Sequence, residues 1–216
     1  PRSRAILQTL TDTTLSNIQF YHFAEGRVGG KEAMIARTGY TGELGFEIYS
    51  SANEIGEIWD AIMDAGTDKG IEPAGLGCRD TLRMEMKFAL YGNDIDETTN
   101  PIEAGLGWIT KLGKADFIGK DAFLEAKANA TRRLVCLEMT ERAIPRNGCP
   151  ILMNDEIVGT ITSGTMSPSL EKGIGIGYVN VPFHKSGTEL IVDIRGKMKS
   201  AIVVKPPFYK NGSLMD

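Results

Sequence analysis

Hydrophobic positions recur with two different periods along this chain, and the change of period divides it. Ile55, Ile58, Trp59, Ile62 and Met63 repeat at helical spacing. Ser51 and Glu54 precede them as a capping pair, and Gly66 stands where such a helix would end. A second helix is predicted from about Pro73 through Arg83 to about Phe88, and a short one from about Lys120 to Ala128. At the amino terminus Ile6, Leu7 and Leu10 share a helical face, and Pro1 suits a first helical position. Ile18–Phe23, Ala33–Arg37 and Leu44–Tyr49 read as strands, with Gly39, Gly42 and Gly45 supplying the turn between the last two. Strands flanking helices in this order predict an α+β layer structure.

From Arg132 the period shortens. Leu134–Leu137, Ile157–Thr162, Ile174–Val179, Leu190–Ile194 and Ala201–Val204 are short strand-like runs separated by Gly, Pro and Asn, the spacing of a small barrel or sandwich. A boundary near residue 130 gives two domains, 1–130 and 131–216. Between the helical and strand-rich parts lies a stretch, about 89–115, without either period. It contains Tyr91-Gly92-Asn93-Asp94-Ile95-Asp96, where Asn and Asp bond their own backbone and Gly loosens it. An ordered loop forming a pocket wall is the expected result.

Composition narrows the functions. A chain of 216 residues with 42% hydrophobic content can bury one good core or two modest ones. Its net charge of -4, with both signs interspersed, offers no basic stripe for a nucleic-acid backbone. No apolar run reaches the roughly 20 residues of a membrane helix, so a soluble intracellular protein is expected. The three cysteines, Cys78, Cys136 and Cys149, lack the spacing of a zinc or redox site and are expected to be reduced and buried. Pro1 begins like the middle of a domain, which implies a preceding segment.

Apparent motifs resolve into structure. Gly173-Ile174-Gly175-Ile176-Gly177 lacks the third glycine of a nucleotide loop and reads as a strand. His22 and His184 are far apart, which gives no support to a nucleophile triad, and Asp94 and Asp96 lack the Gly and Glu of a calcium loop. Arg79 and Arg83 share a helical face; Asp80 is placed to pair with Arg83, which leaves Arg79 for an anionic ligand or a structural ion pair. Strand alternation sets Glu47 and Tyr49 opposite Phe46 and Ile48, so Glu47 faces either solvent or a pocket. Tyr40 and Trp108, on glycine-rich loops, suit either core packing or stacking on a flat heterocycle.

Together, Arg37-Thr38-Gly39-Tyr40-Thr41-Gly42-Glu43, Gly75-Leu76-Gly77-Cys78-Arg79-Asp80-Thr81-Leu82-Arg83, Leu90–Asp96 and Pro101–Trp108 resemble the glycine-cleavage-system T-protein family of folate-dependent aminomethyltransferases. Thr162-Ser163-Gly164, Ser167–Leu170 and Gly175–Val179 extend the likeness into the C-terminal part. The resemblance implies a folate-binding α+β core, part of a three-domain cloverleaf, followed by a small C-terminal β-barrel. It implies an enzyme that takes an aminomethyl group from the lipoyl arm of the H-protein, releases ammonia and leaves methylenetetrahydrofolate. Position by position, it gives Glu47 to the pterin ring, Arg79 to the folate tail, and Tyr40 and Trp108 to the pocket wall.

The family's catalytic aspartate would lie upstream of Pro1, so no catalytic residue is expected in this chain. On this reading the chain is a fragment, inactive alone, whose partners are the lipoylated H-protein and a missing N-terminal segment. The compartment implied is the bacterial cytoplasm, or the mitochondrial matrix in a eukaryote. Iron–sulphur assembly factors of the same fold carry Lys-Gly-Cys-Tyr-x-Gly-Gln-Glu, whereas Gly77-Cys78 is followed here by Arg79-Asp80. A folate-dependent demethylase and a non-catalytic folate-binding or partner-binding module remain the alternatives.

Overall fold

Gly29 and Gly30 both take positive φ (58° and 80°) and close an antiparallel hairpin of β1 (Phe23–Val28) and β2 (Lys31–Ala36) in the computed structural model, which describes residues 2–215. Positive φ at both turn positions matches the strand twist, and glycine adopts it without steric cost. The predicted strand at Ile18–Phe23 is therefore displaced. Tyr21, at φ 65°, breaks the extended run, and the strand begins at Phe23. Of the stretch Leu44–Tyr49 only β3 (Glu47–Tyr49) pairs with β2, because the Leu44 amide donates to Ser213 Oγ at 3.1 Å instead.

Two compact units are formed: the chain up to Leu82 with the segment from Asn211, and Arg83–Lys210. The first holds α1 (Ser3–Leu7), the three-stranded sheet β1-β2-β3 and α2 (Ile55–Gly66), around Leu7, Leu15, Ile18, Val28, Ile35 and Ile58. Helix α2 begins at Ile55, with Glu54 rather than Ser51 at its N-cap, and the two side chains do not form a capping box. Ser51 Oγ donates to the Glu54 carboxylate at 2.8 Å, and no side chain caps the helix backbone. Helix α2 ends at Gly66, which is buried against Ile71, with Thr67 at the C-cap; a 3-10 turn, Thr67–Lys69, follows and closes at Gly70 (φ 73°). Trp59, placed by period on the buried stripe, is exposed, while Ile58 is buried. The expectation for Pro1 lies outside the described residues.

Helix α3 (Leu76–Glu85) is shorter than predicted at both ends. Lys87, at φ 58°, cannot continue a right-handed helix. After a long segment without strands or α-helix comes α4 (Lys120–Asn129). The second unit then closes six antiparallel strands into a barrel, in the order β4-β7-β6-β5-β8-β9. They are β4 (Arg132–Met139), β5 (Pro150–Met153), β6 (Glu156–Ser167), β7 (Lys172–Asn180), β8 (Glu189–Ile194) and β9 (Lys197–Val204). Strand β5, four residues long and opening on a proline, was not anticipated.

Strand β7 explains the alternating glycines. Ile174, Ile176 and Tyr178 pack with Met84, Ala104, Leu134, Cys136 and Phe208 in one cluster. On the alternate positions a Cβ at Gly177 would stand 2.5 Å from Thr160 O and 3.1 Å from Ile151 Cδ1, and one at Gly175 would stand 3.1 Å from Ile161 Cδ1. No side chain fits there. Burying each isoleucine contributes about 1.5–3 kcal/mol, so this strand supports two apolar layers at once.

The cysteines divide by position rather than sharing a buried state: Cys136 is buried, Cys149 half-buried and Cys78 exposed. Burial pushes the Cys136 thiol up from 9.0 to about 12. Native protein at pH 8 is expected to label at Cys78 within minutes and at Cys136 only after denaturation, as read by mass spectrometry of a thiol-alkylation time course. Because the folded value lies above the unfolded one, the stability contribution of Cys136 is complete below pH 9.0 and is lost as pH rises toward about 12. Urea midpoints that Cys136→Ala shifts equally at pH 8 and above pH 10 would contradict this placement.

Candidate functional site

In the first unit the structure brings Arg79 and Tyr40 together. The Arg79 guanidinium lies over the Tyr40 ring, 4.4 Å from its centroid. Arg79 is exposed and has no carboxylate within ion-pairing distance among the described residues. Stacking on an aromatic face restrains a guanidinium while leaving its N–H edge open to an anion. Glu47 is exposed on β3, with Phe46 and Ile48 packed toward the core, as strand alternation requires. Its carboxylate accepts a short hydrogen bond from Thr38 Oγ1, which limits its rotamers. The Thr38–Tyr40 turn thus touches both charged groups.

The two arginines of α3 have opposite environments. Arg83, in the second unit, is 1% exposed, and its Nη1 donates to Asp94 Oδ2 at 2.5 Å and to Phe88 O at 3.0 Å. Its Nη2 donates to Ser163 Oγ at 2.8 Å. Asp94 is fully buried and accepts from the Leu90 amide at 3.0 Å and from Thr162 Oγ1 at 2.5 Å. Tyr178 donates its hydroxyl to Asp94 O at 3.1 Å, and burial raises that phenol above its ordinary value. The loop around Tyr91-Gly92-Asn93 is therefore anchored from beneath, with those three residues exposed. Asp96, by contrast, closes a local turn onto Thr98, whose hydrogen bonds pull its carboxyl below the usual range.

A second buried acid follows on α3. Glu85, 2% exposed, accepts from Ser167 Oγ at 2.5 Å, Ser169 Oγ at 2.8 Å and the Ser169 amide at 3.1 Å. Lys87 donates to Ala104 O at 2.8 Å, and its partial burial lowers its amine below the usual lysine value. Glu85 and Lys87 were not singled out from the sequence, and Asp94 was weighed there only as a calcium ligand.

Trp108 belongs to the second unit and is 69% exposed. It borders an open cavity of about 770 Å³ whose wall also includes Ile102, Lys111, Leu112, Lys114, Lys127 and Arg133. The concentration of cations there was not foreseen, although Trp108, Lys111 and Lys114 repeat at three-residue intervals in a glycine-rich stretch. Among the described residues no cluster of His, Cys, Asp and Glu suits a metal ion, and no helix is long and apolar enough to cross a membrane.

Residues 1–114 match the GCVT N-terminal domain model, and residues 132–210 match the glycine cleavage T-protein C-terminal barrel domain model. The chain belongs to the glycine cleavage T-protein family. An aminomethyltransferase of Bacteroides thetaiotaomicron is 51% identical over 215 residues, covering 97% of this chain and 59% of that protein. One from Halothermothrix orenii is 48% identical over 209 residues, covering 96% of this chain and 58% of its own length. The crystal structure of glycine cleavage system aminomethyltransferase T from Bartonella henselae superposes with a TM-score of 0.88 at 32% identity, over 97% of this chain and 58% of that one. The chain thus spans about three-fifths of the length of these relatives. The T-protein assignment covers both the mixed α/β part and the barrel.

Removing one partner of the Arg83–Asp94 pair leaves the other charge buried without its match, at a cost of about 3–5 kcal/mol. Asp94→Ala is therefore expected to lower the urea midpoint strongly, whereas Asp96→Ala, at an exposed local turn, shifts it little. Equal midpoints for the two variants would show that the buried pair does not organise the loop.

Proposed function

We propose that the whole protein is a tetrahydrofolate-dependent aminomethyltransferase and that this chain carries part of its folate-binding surface. The observation that carries this reading is that both T-protein domain models match in order, with named aminomethyltransferases about half identical over nearly the whole chain. In the proposed reaction a folate nitrogen attacks the aminomethyl carbon on the lipoyl arm of the H-protein. Ammonia leaves, the lipoyl thiol is released and methylenetetrahydrofolate forms. The division near residue 130 into a folate-binding core and a barrel domain is part of the same reading.

Glu47 is assigned to the pterin. A carboxylate accepts two parallel N–H bonds from an aminopyrimidine edge, and the Thr38 hydroxyl holds it in position to do so. Arg79 is assigned to the glutamyl carboxylate, its fork directed by the Tyr40 ring beneath it. Trp108 is assigned to the ligand as an aromatic contact. We assign no catalytic aspartate within this chain: Asp94 is fully buried, and both its oxygens already accept hydrogen bonds, from Arg83, Leu90 and Thr162.

Two measurements test this. Aminomethylated H-protein, followed by mass spectrometry of its lipoyl lysine, is expected to turn over with the whole protein only when tetrahydrofolate is present; equal turnover without folate would refute the activity. In the same protein, Glu47→Ala and Arg79→Ala are expected to lose about tenfold to a hundredfold in tetrahydrofolate affinity, since a hydrogen bond to a charged group contributes on the order of 1.5–3 kcal/mol. Only Glu47→Ala should also weaken a pterin that lacks the glutamyl tail. If Arg79→Ala weakens both ligands alike, the carboxylate role fails.

A further inference from the structure

The last residues of the chain fold back onto the turn that carries the candidate site. Gly212, Ser213 and Leu214 belong to the first unit, together with the Arg37–Leu44 stretch they touch. The Ser213 amide donates to the Glu43 carboxylate at 3.0 Å, and its hydroxyl donates to the same oxygen. That hydroxyl also accepts from the Leu44 amide at 3.1 Å, so it acts as donor and acceptor at once. One residue on, the Leu214 carbonyl accepts from both Nη atoms of the buried Arg37, at 3.2 and 3.3 Å. One residue back, a Cβ at Gly212 would stand 2.3 Å from Gly42 O, so the two backbones meet where no side chain fits. Consecutive tail residues thus hold Arg37, Gly42, Glu43 and Leu44 of one turn.

Other residues of the same turn reach the side chains assigned to the ligand. Thr38 Oγ1 donates to the Glu47 carboxylate, and the Tyr40 ring lies under the Arg79 guanidinium, 4.4 Å from it. Thr38 and Tyr40 stand between Arg37 and Gly42, both of which the tail holds. No strand fixes this stretch, since β2 ends at Ala36 and β3 begins at Glu47. Gly39 and Gly42, the second at φ 75°, give its backbone many possible paths. Selecting one of them costs conformational entropy, which contacts to another segment must offset. The tail makes those contacts.

We propose that Gly212, Ser213 and Leu214 form a positioning element of the candidate site: by bracing the Arg37–Leu44 turn from the chain's far end, they keep Glu47 and Arg79 in place. The ligand role of those two side chains rests on the folate reading above. Ser213 matters most to the brace, because its hydroxyl both donates to Glu43 and accepts from Leu44, and an alanine there does neither. Gly212 matters next, because any side chain there drives the tail away from Gly42.

The test uses the whole protein carrying Ser213→Ala, Gly212→Ala or, as a control on the same tail, Met215→Ala, whose side chain is exposed. In steady-state turnover of aminomethylated H-protein, each of the first two is expected to raise KM for tetrahydrofolate about fivefold to tenfold with kcat unchanged. Met215→Ala keeps both parameters. A merely structural role moves the other one: a smaller folded fraction lowers the apparent kcat and leaves KM alone. Hydrogen exchange, read by mass spectrometry, is expected to quicken in peptides covering residues 37–47 of the Ser213→Ala protein and to stay unchanged in those covering β7. The proposal is overturned if both variants keep the parent's KM, if kcat falls in place of the KM change, or if exchange over residues 37–47 stays the same. Should the parent turn over equally fast without folate, the folate reading falls, whereas quickened exchange over residues 37–47 still supports the brace between tail and turn.

Discussion

Two opposite charges, Arg83 and Asp94, lie out of water within the second unit, and the conformation of the loop between them follows from the need to match them. Arg83 has more N–H groups than one carboxylate can accept, so it also reaches the Phe88 carbonyl and the Ser163 hydroxyl. Asp94 in turn takes the Leu90 amide and the Thr162 hydroxyl. Each extra bond fixes a different piece of backbone: the end of α3, the loop, or strand β6. Buried pairs of this kind add little net stability over apolar packing, but they penalise every arrangement in which either partner is unmatched. Here that penalty selects one path for a segment whose glycines and aspartates would otherwise permit many.

Glu85, two residues beyond Arg83 on α3, repeats the logic. Its carboxylate holds the Ser167–Ser169 turn, and its backbone carbonyl accepts from the Tyr209 amide at 3.0 Å. The glycines of β7 contribute in the opposite manner, by removing side chains where Thr160 and Ile151 need the space. Polar anchoring and glycine clearance therefore act on adjacent strands of one barrel. Neither would suffice alone, since a strand free to shift register would separate Ser163 from Arg83.

The barrel was legible because its short apolar runs are punctuated by Gly, Pro and Asn; the Gly-Ile-Gly-Ile-Gly run lies in strand β7. Errors arose where one residue's backbone overrode its neighbours' propensities. Tyr21 and Lys87 at positive φ ended predicted elements. The Gly29-Gly30 hairpin was readable from turn chemistry but was masked by the apolar Ile18–Phe23 run ahead of it. At the candidate site, the spacing of Arg79 and Arg83 placed both on one helical face, yet the helix cannot say which end of that face is covered. Asp94 was misjudged for the same reason: its partners, Thr162 and Tyr178, are distant in sequence.

Charge makes the limit plainest. A net charge of -4 argues against polyanionic partners when averaged over the molecule, and for an extended nucleic-acid backbone that argument holds. Averaging fails at the scale of one cavity. The screening length at physiological salt is about 8 Å, so a small ligand responds to the few charges lining its own site rather than to the sum. Among the described residues the cavity beside Trp108 is lined by Lys111, Lys114, Lys127 and Arg133 and by no Asp or Glu. What remains beside that indole is a local excess of positive charge within a net acidic chain. Only the folded arrangement, by bringing the 108–114 loop, α4 and β4 to one cavity, gathers scattered cations on one surface.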